Sequence, residues 1–216
     1  MARPTGGYFT QDGERVPSVT TITGRMRSTD ALMAWQAREF RAGRDPDDAK
    51  TKAATAGTLA HQNAYALTHG QPIVWPGDCP SDVLDKAMRA FGAFQRWADQ
   101  TRLTVEKAEI SLVSERYRYG GTFDALVVQG QRAMAEYKTS AKTYPDHLAQ
   151  VAAYAHLWLE HFPEQPIDGG FHVLRFDRET GDFHASHYPE LDDAWEMFLL
   201  QRHAYDLEKR LAKRCQ

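Results

Sequence analysis

Cysteine is nearly missing from this 216-residue sequence, which has only Cys79 and Cys215. Two thiols cannot complete a four-thiolate zinc site or an iron–sulfur cluster, and they argue against a disulfide scaffold. A reducing cytoplasm is the expected setting. No apolar run approaches the ~20 residues that a membrane-spanning helix needs, so a membrane protein is not expected. The opening residues, MARPTGGYFTQDGERVP, lack the apolar stretch of a secretory signal. Excess charge of one sign is missing as well, with 26 basic side chains against 29 acidic ones and a net charge of −3. A uniformly basic nucleic-acid coat is therefore excluded, while a local basic cleft is not. Internal repeats and low-complexity segments are absent. What remains is 42% hydrophobic and 25% charged, a balance that predicts a folded core rather than a disordered chain. The length suits a single domain over residues 1–216.

Hydrophobic periodicity divides the chain. The stretch GGYFTQDGERVPSVTTIT reads as a short hairpin turning at Asp12-Gly13, followed by β-branched residues from Val19 to Ile22. The pattern then turns helical. Ser28 or Asp30 can cap a helix carrying Leu32, Trp35 and Phe40. A second helix runs over about 47–69 and stops at Gly70, with Gly57 as a candidate interruption. After the Pro-rich QPIVWPGDCP, Ser81 caps a third helix with Leu84, Met88, Phe91, Phe94 and Trp97 at helical spacing. From there the period changes. Residues 105–113, 122–128 and 132–139 read as strands, and Pro145 begins an apolar helix that ends before Pro163. Residues 171–176 and 183–188 form another hairpin across RETGD, and a last helix covers about 191–213. The order predicts an α/β fold, a central mixed β-sheet flanked by α-helices. An N-terminal hairpin and helical region (1–100) precedes the α/β core (101–216).

The most informative segment is GGTFDALVVQGQRAMAEYKTS, residues 120–140. A hairpin centred on Gly130 puts Asp124 opposite Glu136, with Cβ atoms ~5 Å apart. Lys138, two residues beyond Glu136, projects from the same face. Opposed carboxylates repel unless a cation lies between them, and magnesium takes oxygen ligands of this kind. A bound metal would polarise a phosphoryl oxygen, while Lys138 would orient the water or stabilise charge on the phosphate. Glu-x-Lys alone is common on solvated strands; here its face neighbours are Ala, Val, Tyr and Met. The following helix, DHLAQVAAYAHLWLEHF, places Gln150 and Tyr154 at i and i+4 amid apolar residues. Buried, both would need partners, and the metal's water or a phosphate could serve.

Four blocks in this order resemble the PD-(D/E)XK nuclease superfamily, and within it the RecB-like branch that includes phage-associated and mitochondrial-maintenance-type exonucleases. GTLAH aligns His61 with the branch's histidine metal ligand. GGTFD aligns Asp124 with its metal-binding aspartate. EYKTS aligns Glu136 and Lys138 with its second acidic ligand and catalytic lysine, and QVAAY aligns Gln150 and Tyr154 with its QxxxY motif. Glu109 lies where many members carry a further Glu. The blocks span residues 57–154. The resemblance implies a restriction-endonuclease-like core and a metal-dependent DNA exonuclease of phage recombination or repair type. His61, Asp124 and Glu136 would bind one or two Mg²⁺ or Mn²⁺ ions, with no iron–sulfur cluster, since the cluster cysteines cannot all be present. Its partners would be linear single- or double-stranded DNA ends and a single-strand annealing or recombination protein, and oligomers occur among the expectations. A site-specific endonuclease and a catalytically silent DNA- or protein-binding module are the alternatives.

Other residues carry weaker readings. His172, His184 and His187 flank a predicted turn, where zinc binding is the minority reading. His69, His147, His156 and His161 read as surface or capping residues. Trp75 sits in the Pro-rich loop as an anchor or a base-stacking group. Arg38, Arg41, Arg44, Lys50, Lys52, Arg116, Arg118 and Lys142 are candidates for a DNA cleft, with nearby acids as their competing partners.

Overall fold

The computed structural model describes residues 4–25, 29–101, 104–140 and 142–215; the Ser28 cap therefore lies outside the described residues. The opening hairpin is present as β1 (Tyr8–Phe9) and β2 (Arg15–Val16), paired antiparallel. The β-branched stretch after it is not a strand but a short helix, α1 (Val19–Arg25). Ser18 Oγ accepts from the Thr21 N–H at 3.0 Å, satisfying an orphan donor of the first turn. Val19, Ile22 and Thr23 are then buried on one side, so tertiary packing overrides the local β preference.

Three helices follow. α2 spans Thr29–Arg41, and its Leu32 and Phe40 are 49% and 67% exposed. α3 (Pro46–Thr68) is capped by the Asp45 side chain and runs unbroken through Gly57. α4 (Ser81–Thr101) buries Val83, Ala87, Ala90, Phe91, Phe94 and Trp97. Met88 is 48% exposed, so the buried stripe is rotated from the expected Leu84–Met88 line.

The main sheet contains β3 (Thr104–Ser114), β4 (Tyr119–Gln129), β5 (Gln131–Lys138), β6 (Phe171–Phe176) and β7 (Phe183–Tyr188), in that spatial order. The β5–β6 pair is parallel and the other pairs are antiparallel, so the sheet is mixed. α5 (Pro145–His161) makes the crossover between the parallel strands, and α6 (Asp192–Ala212) ends the fold. Helices cover both faces, giving the expected α/β architecture with a central mixed sheet flanked by helices. On one face α1, α5 and α6 pack with Phe123, Leu126, Met134 and Val173. On the other, α3 and α4 pack with Ala125, Val127, Ala133, Ala135, Tyr137, Leu174 and Phe176. Fully buried side chains such as Phe94 and Leu126 each stabilise the fold by about 1.5–3 kcal/mol. No helix among the described residues is long and apolar enough to cross a membrane.

Candidate functional site

The β4–β5 hairpin has the register set by a turn on Gly130, from Gln129↔Gln131 to Ala125↔Ala135. The pairing ends at Ala125↔Ala135, just before Asp124 and Glu136. There the Tyr137 N–H donates to Asp124 Oδ2, at 2.7 Å. Both carboxylates are 3% exposed. Lys138 follows on the Glu136 face, and its Nζ donates to Glu136 Oε1 (2.7 Å) and Gln150 Oε1 (2.8 Å). Gln150, on α5, donates through Nε2 to Glu136 Oε1 (2.8 Å) and Tyr154 OH (2.9 Å). Its amide is thus fully engaged and fixes the lysine ammonium against the carboxylate. Glu136 Oε2 is different: it is buried and has no hydrogen-bond partner.

Two glycines bring the helices close enough. A Cβ on Gly121 would collide with the Tyr154 ring, so GGTFD admits that side chain onto β4. Gly57 lies one turn before His61 on α3, and a Cβ there would stand 3.1 Å from Thr139 Oγ1 at the exit of β5. This approach carries His61 Nδ1 to 3.3 Å from Asp124 Oδ1. Glu109 enters from β3, between the pairs Ala108↔Ala125 and Ile110↔Phe123. Its φ of 52° is left-handed, a conformation costing on the order of 1–3 kcal/mol and concentrated at functional sites. Ligand atoms of His61, Glu109 and Asp124 lie within 4.8 Å of one another.

Burial and charge oppose each other here. Burial raises the Glu136 carboxyl, and the neighbouring Asp124 carboxylate raises it further. Lys138 offsets only part, leaving it at about 7. Burial alone would raise Asp124 too, but His61, Lys138 and the Tyr137 N–H hold it below the ordinary value. For His61, burial presses the pKa down, and the Asp124 and Glu136 carboxylates outweigh it and raise it.

A hard divalent cation fits this donor set. Two carboxylates and one imidazole, those of Glu109, Asp124 and His61, converge; close by, the buried Glu136 Oε2 lacks the partner that a buried oxygen needs. His61, Glu109 and Asp124 form one group, whereas Glu136, expected as the third ligand, lies outside that group and is bound to Lys138 and Gln150. Glu109, given a supporting place in the sequence reading, thus stands beside His61 and Asp124. The structure brings all the sequence-selected site residues to one locus.

Other expectations fare differently. Trp75 packs edge-on against Phe91, with ring centroids 5.7 Å apart, and is a loop anchor. His147 is buried, its Nδ1 accepting from the Tyr144 N–H at the start of α5. His172 and His187 are cross-strand neighbours with centroids 4.8 Å apart, while His184 pairs with Arg175 in the register. Several cleft candidates are already paired with acids. Arg44 meets Glu39, Lys52 meets Asp48 and Asp82, and Arg118 meets Asp12, Glu14 and Glu115. Two cations that the sequence reading missed lie nearer the site. Arg178 Nη1 donates to Thr139 O at 3.1 Å, and Arg175 Nη1 reaches Ser140 O at 3.5 Å. The β5–β6 pairing sets Lys138 beside Arg175, and both arginines also meet acids, Arg175 with Asp177 and Arg178 with Glu179.

No family model matches the chain, and no curated protein matches it in sequence. Among solved structures, the chain is similar to a protein from Eubacterium rectale assigned as an exonuclease. The TM-score is 0.46 at 11% identity, over 67% of this chain and 64% of that one. It is also similar to LHK-Exo in complex with dAMP, with a TM-score of 0.42 at 15% identity, over 74% and 85% of the two chains. The chain thus spans under two thirds of the first protein's length, 64%.

Proposed function

We propose that the chain is a metal-dependent DNA nuclease that hydrolyses phosphodiester bonds, acting as an exonuclease of phage recombination or repair type on linear DNA ends. The observation that carries this reading is the buried, unpartnered Glu136 Oε2 near the Asp124 carboxylate, with Lys138 pinned alongside by Gln150. A structural ion pair would saturate its oxygens; this one leaves a demand that a cation meets.

His61, Glu109, Asp124 and Glu136 would hold one or two Mg²⁺ or Mn²⁺ ions. Such an ion, when bound, polarises a phosphoryl oxygen and lowers the pKa of its water. The Lys138 ammonium, held by Glu136 and Gln150, orients the attacking water and offsets negative charge growing on the phosphate. Gln150 acts through Lys138 and Glu136, and Tyr154 holds Gln150 in turn, so both are positioning residues. Exonuclease over endonuclease rests on the sequence resemblance.

The test is degradation of 5′- and 3′-labelled single- and double-stranded DNA, with closed circles alongside, in Mg²⁺, Mn²⁺ or EDTA. Metal-dependent loss of linear DNA is expected, with circles intact and Lys138→Ala slower by about 10²–10⁴-fold. Discrete fragments from circles would favour an endonuclease. Bound but uncleaved DNA under every metal would sink the enzymatic reading.

A further inference from the structure

α6 has a second face that the described residues leave uncovered. Its core side carries Phe198, Gln201 and Tyr205. Rotated away from these lie Leu200, Ala204, Leu207 and Leu211, in the four-three-four spacing of a coiled-coil seam. The three leucines are 65%, 40% and 57% exposed. Water would ordinarily select against such a continuous apolar stripe on a helix surface.

The stripe runs between charges of opposite sign. Asp193 and Glu196 lie at its N-terminal end, and Arg210, Lys213 and Arg214 at its C-terminal end, all exposed. This distribution favours the helix's own dipole. It also makes the face complementary to itself when reversed. In an antiparallel pair, Leu200 of one copy meets Leu211 of the second, and Leu207 meets Ala204. Glu196 then lies against the second copy's basic end at Arg214.

We propose that the chain forms a two-fold symmetric dimer through antiparallel pairing of α6. The same patch serves both copies, so the assembly closes at two. Three leucines and one alanine make a narrow seam, whereas a standard stable interface buries roughly 800 Å² per partner, so the dimer dissociates on dilution. Salt screens its opposed ends and weakens it.

Sedimentation velocity on the full chain over a concentration series tests this. A monomer–dimer equilibrium is expected, with Leu207→Glu raising the dissociation constant at least tenfold. Glu196→Arg and Arg214→Glu, both at exposed positions, each weaken the dimer, and the two together restore it. Circular dichroism confirms that each variant keeps its helix content. A monomer at every concentration overturns the proposal, as does an oligomer unaffected by Leu207→Glu. Failure of the double reversal to restore pairing overturns the antiparallel arrangement.

Discussion

Two clusters of charge lie along β4 and use the same kinds of residue. At its start, Arg118 meets Asp12 (2.8 Å), Glu14 (2.6 Å) and Glu115 (3.4 Å). Further along, Lys138 and His61 meet Glu136 (2.7 Å) and Asp124 (3.3 Å). Both clusters even border a non-glycine residue in the left-handed region, Arg118 at φ 54° and Glu109 at φ 52°. They differ in solvent. The acids around Arg118 are 37–62% exposed, so water completes their solvation whether or not they pair. Asp124 and Glu136 are buried, where each unmet bond counts, and yet Glu136 Oε2 is unmet. Ion pairing therefore does not mark a functional site. What separates the two clusters is burial, and with it an unmet carboxylate oxygen.

The largest expected effect tests that contrast directly. Glu136→Gln lowers cleavage of linear DNA by on the order of 10²-fold or more, whereas Arg118→Ala leaves the rate near wild type. The same Glu136→Gln change stabilises the fold in EDTA at neutral and higher pH. Its sign follows from the raised carboxyl, shifted from 4.5 to about 7 in the folded chain. A group with a raised folded pKa contributes stability that is full below its unfolded value and is lost as pH rises through the folded one. Wild-type melting temperature in EDTA should therefore fall relative to Glu136→Gln between about pH 4.5 and 7. Adding Mg²⁺ or Mn²⁺ should recover stability in wild type more than in the variant. Parallel pH profiles for the two proteins would show that Glu136 is not the strained group.

Much of the buried cluster was legible in the sequence, because a strand's period of two is rigid. Once the turn is placed on Gly130, the pairing runs to Ala125↔Ala135, and Glu136 and Lys138, two apart, share a face, whereas Asp124 lies just beyond the paired register. The i, i+4 spacing of Gln150 and Tyr154 is similarly fixed by the helix. The exposed cluster was illegible for the opposite reason. Arg118 and Asp12 are 106 residues apart, and nothing local to either foretells their meeting. The same holds for Arg178 and Thr139, 39 residues apart. α1 was misread because Val19, Thr20, Thr21 and Ile22 favour a strand locally, and only burial of Val19 and Ile22 against the sheet favours the helix. The left-handed φ of Glu109 leaves no trace in residue type.

A smaller effect separates the backbone that serves the site from the backbone that serves the surface. Gly121→Ala drives a methyl group into the Tyr154 ring and should destabilise the fold by about 1–3 kcal/mol. Since Tyr154 OH accepts from Gln150, cleavage should also fall, by more than the loss of folded protein explains. Gly120→Ala meets the Tyr8 ring instead. Its effect should appear in thermal unfolding, with the rate per folded molecule retained. Equal losses of specific activity in both variants would erase the distinction.

The smallest effect belongs to the exposed cluster. Arg118 holds Asp12 well below the usual carboxylate range, chiefly through its hydrogen bond, aided by Thr10. A depressed carboxylate contributes stability that is present above its unfolded pKa and lost as pH falls through the folded one. Arg118→Ala should therefore shift the melting temperature slightly near pH 7 and not at all in strong acid. Because the groups are solvated, high salt should shrink even the neutral-pH shift, whereas the Glu136 effect should resist salt. A large, salt-insensitive loss in Arg118→Ala would mean that the guanidinium's hydrogen bonds, not the depth of the charge, hold β4 to the N-terminal hairpin.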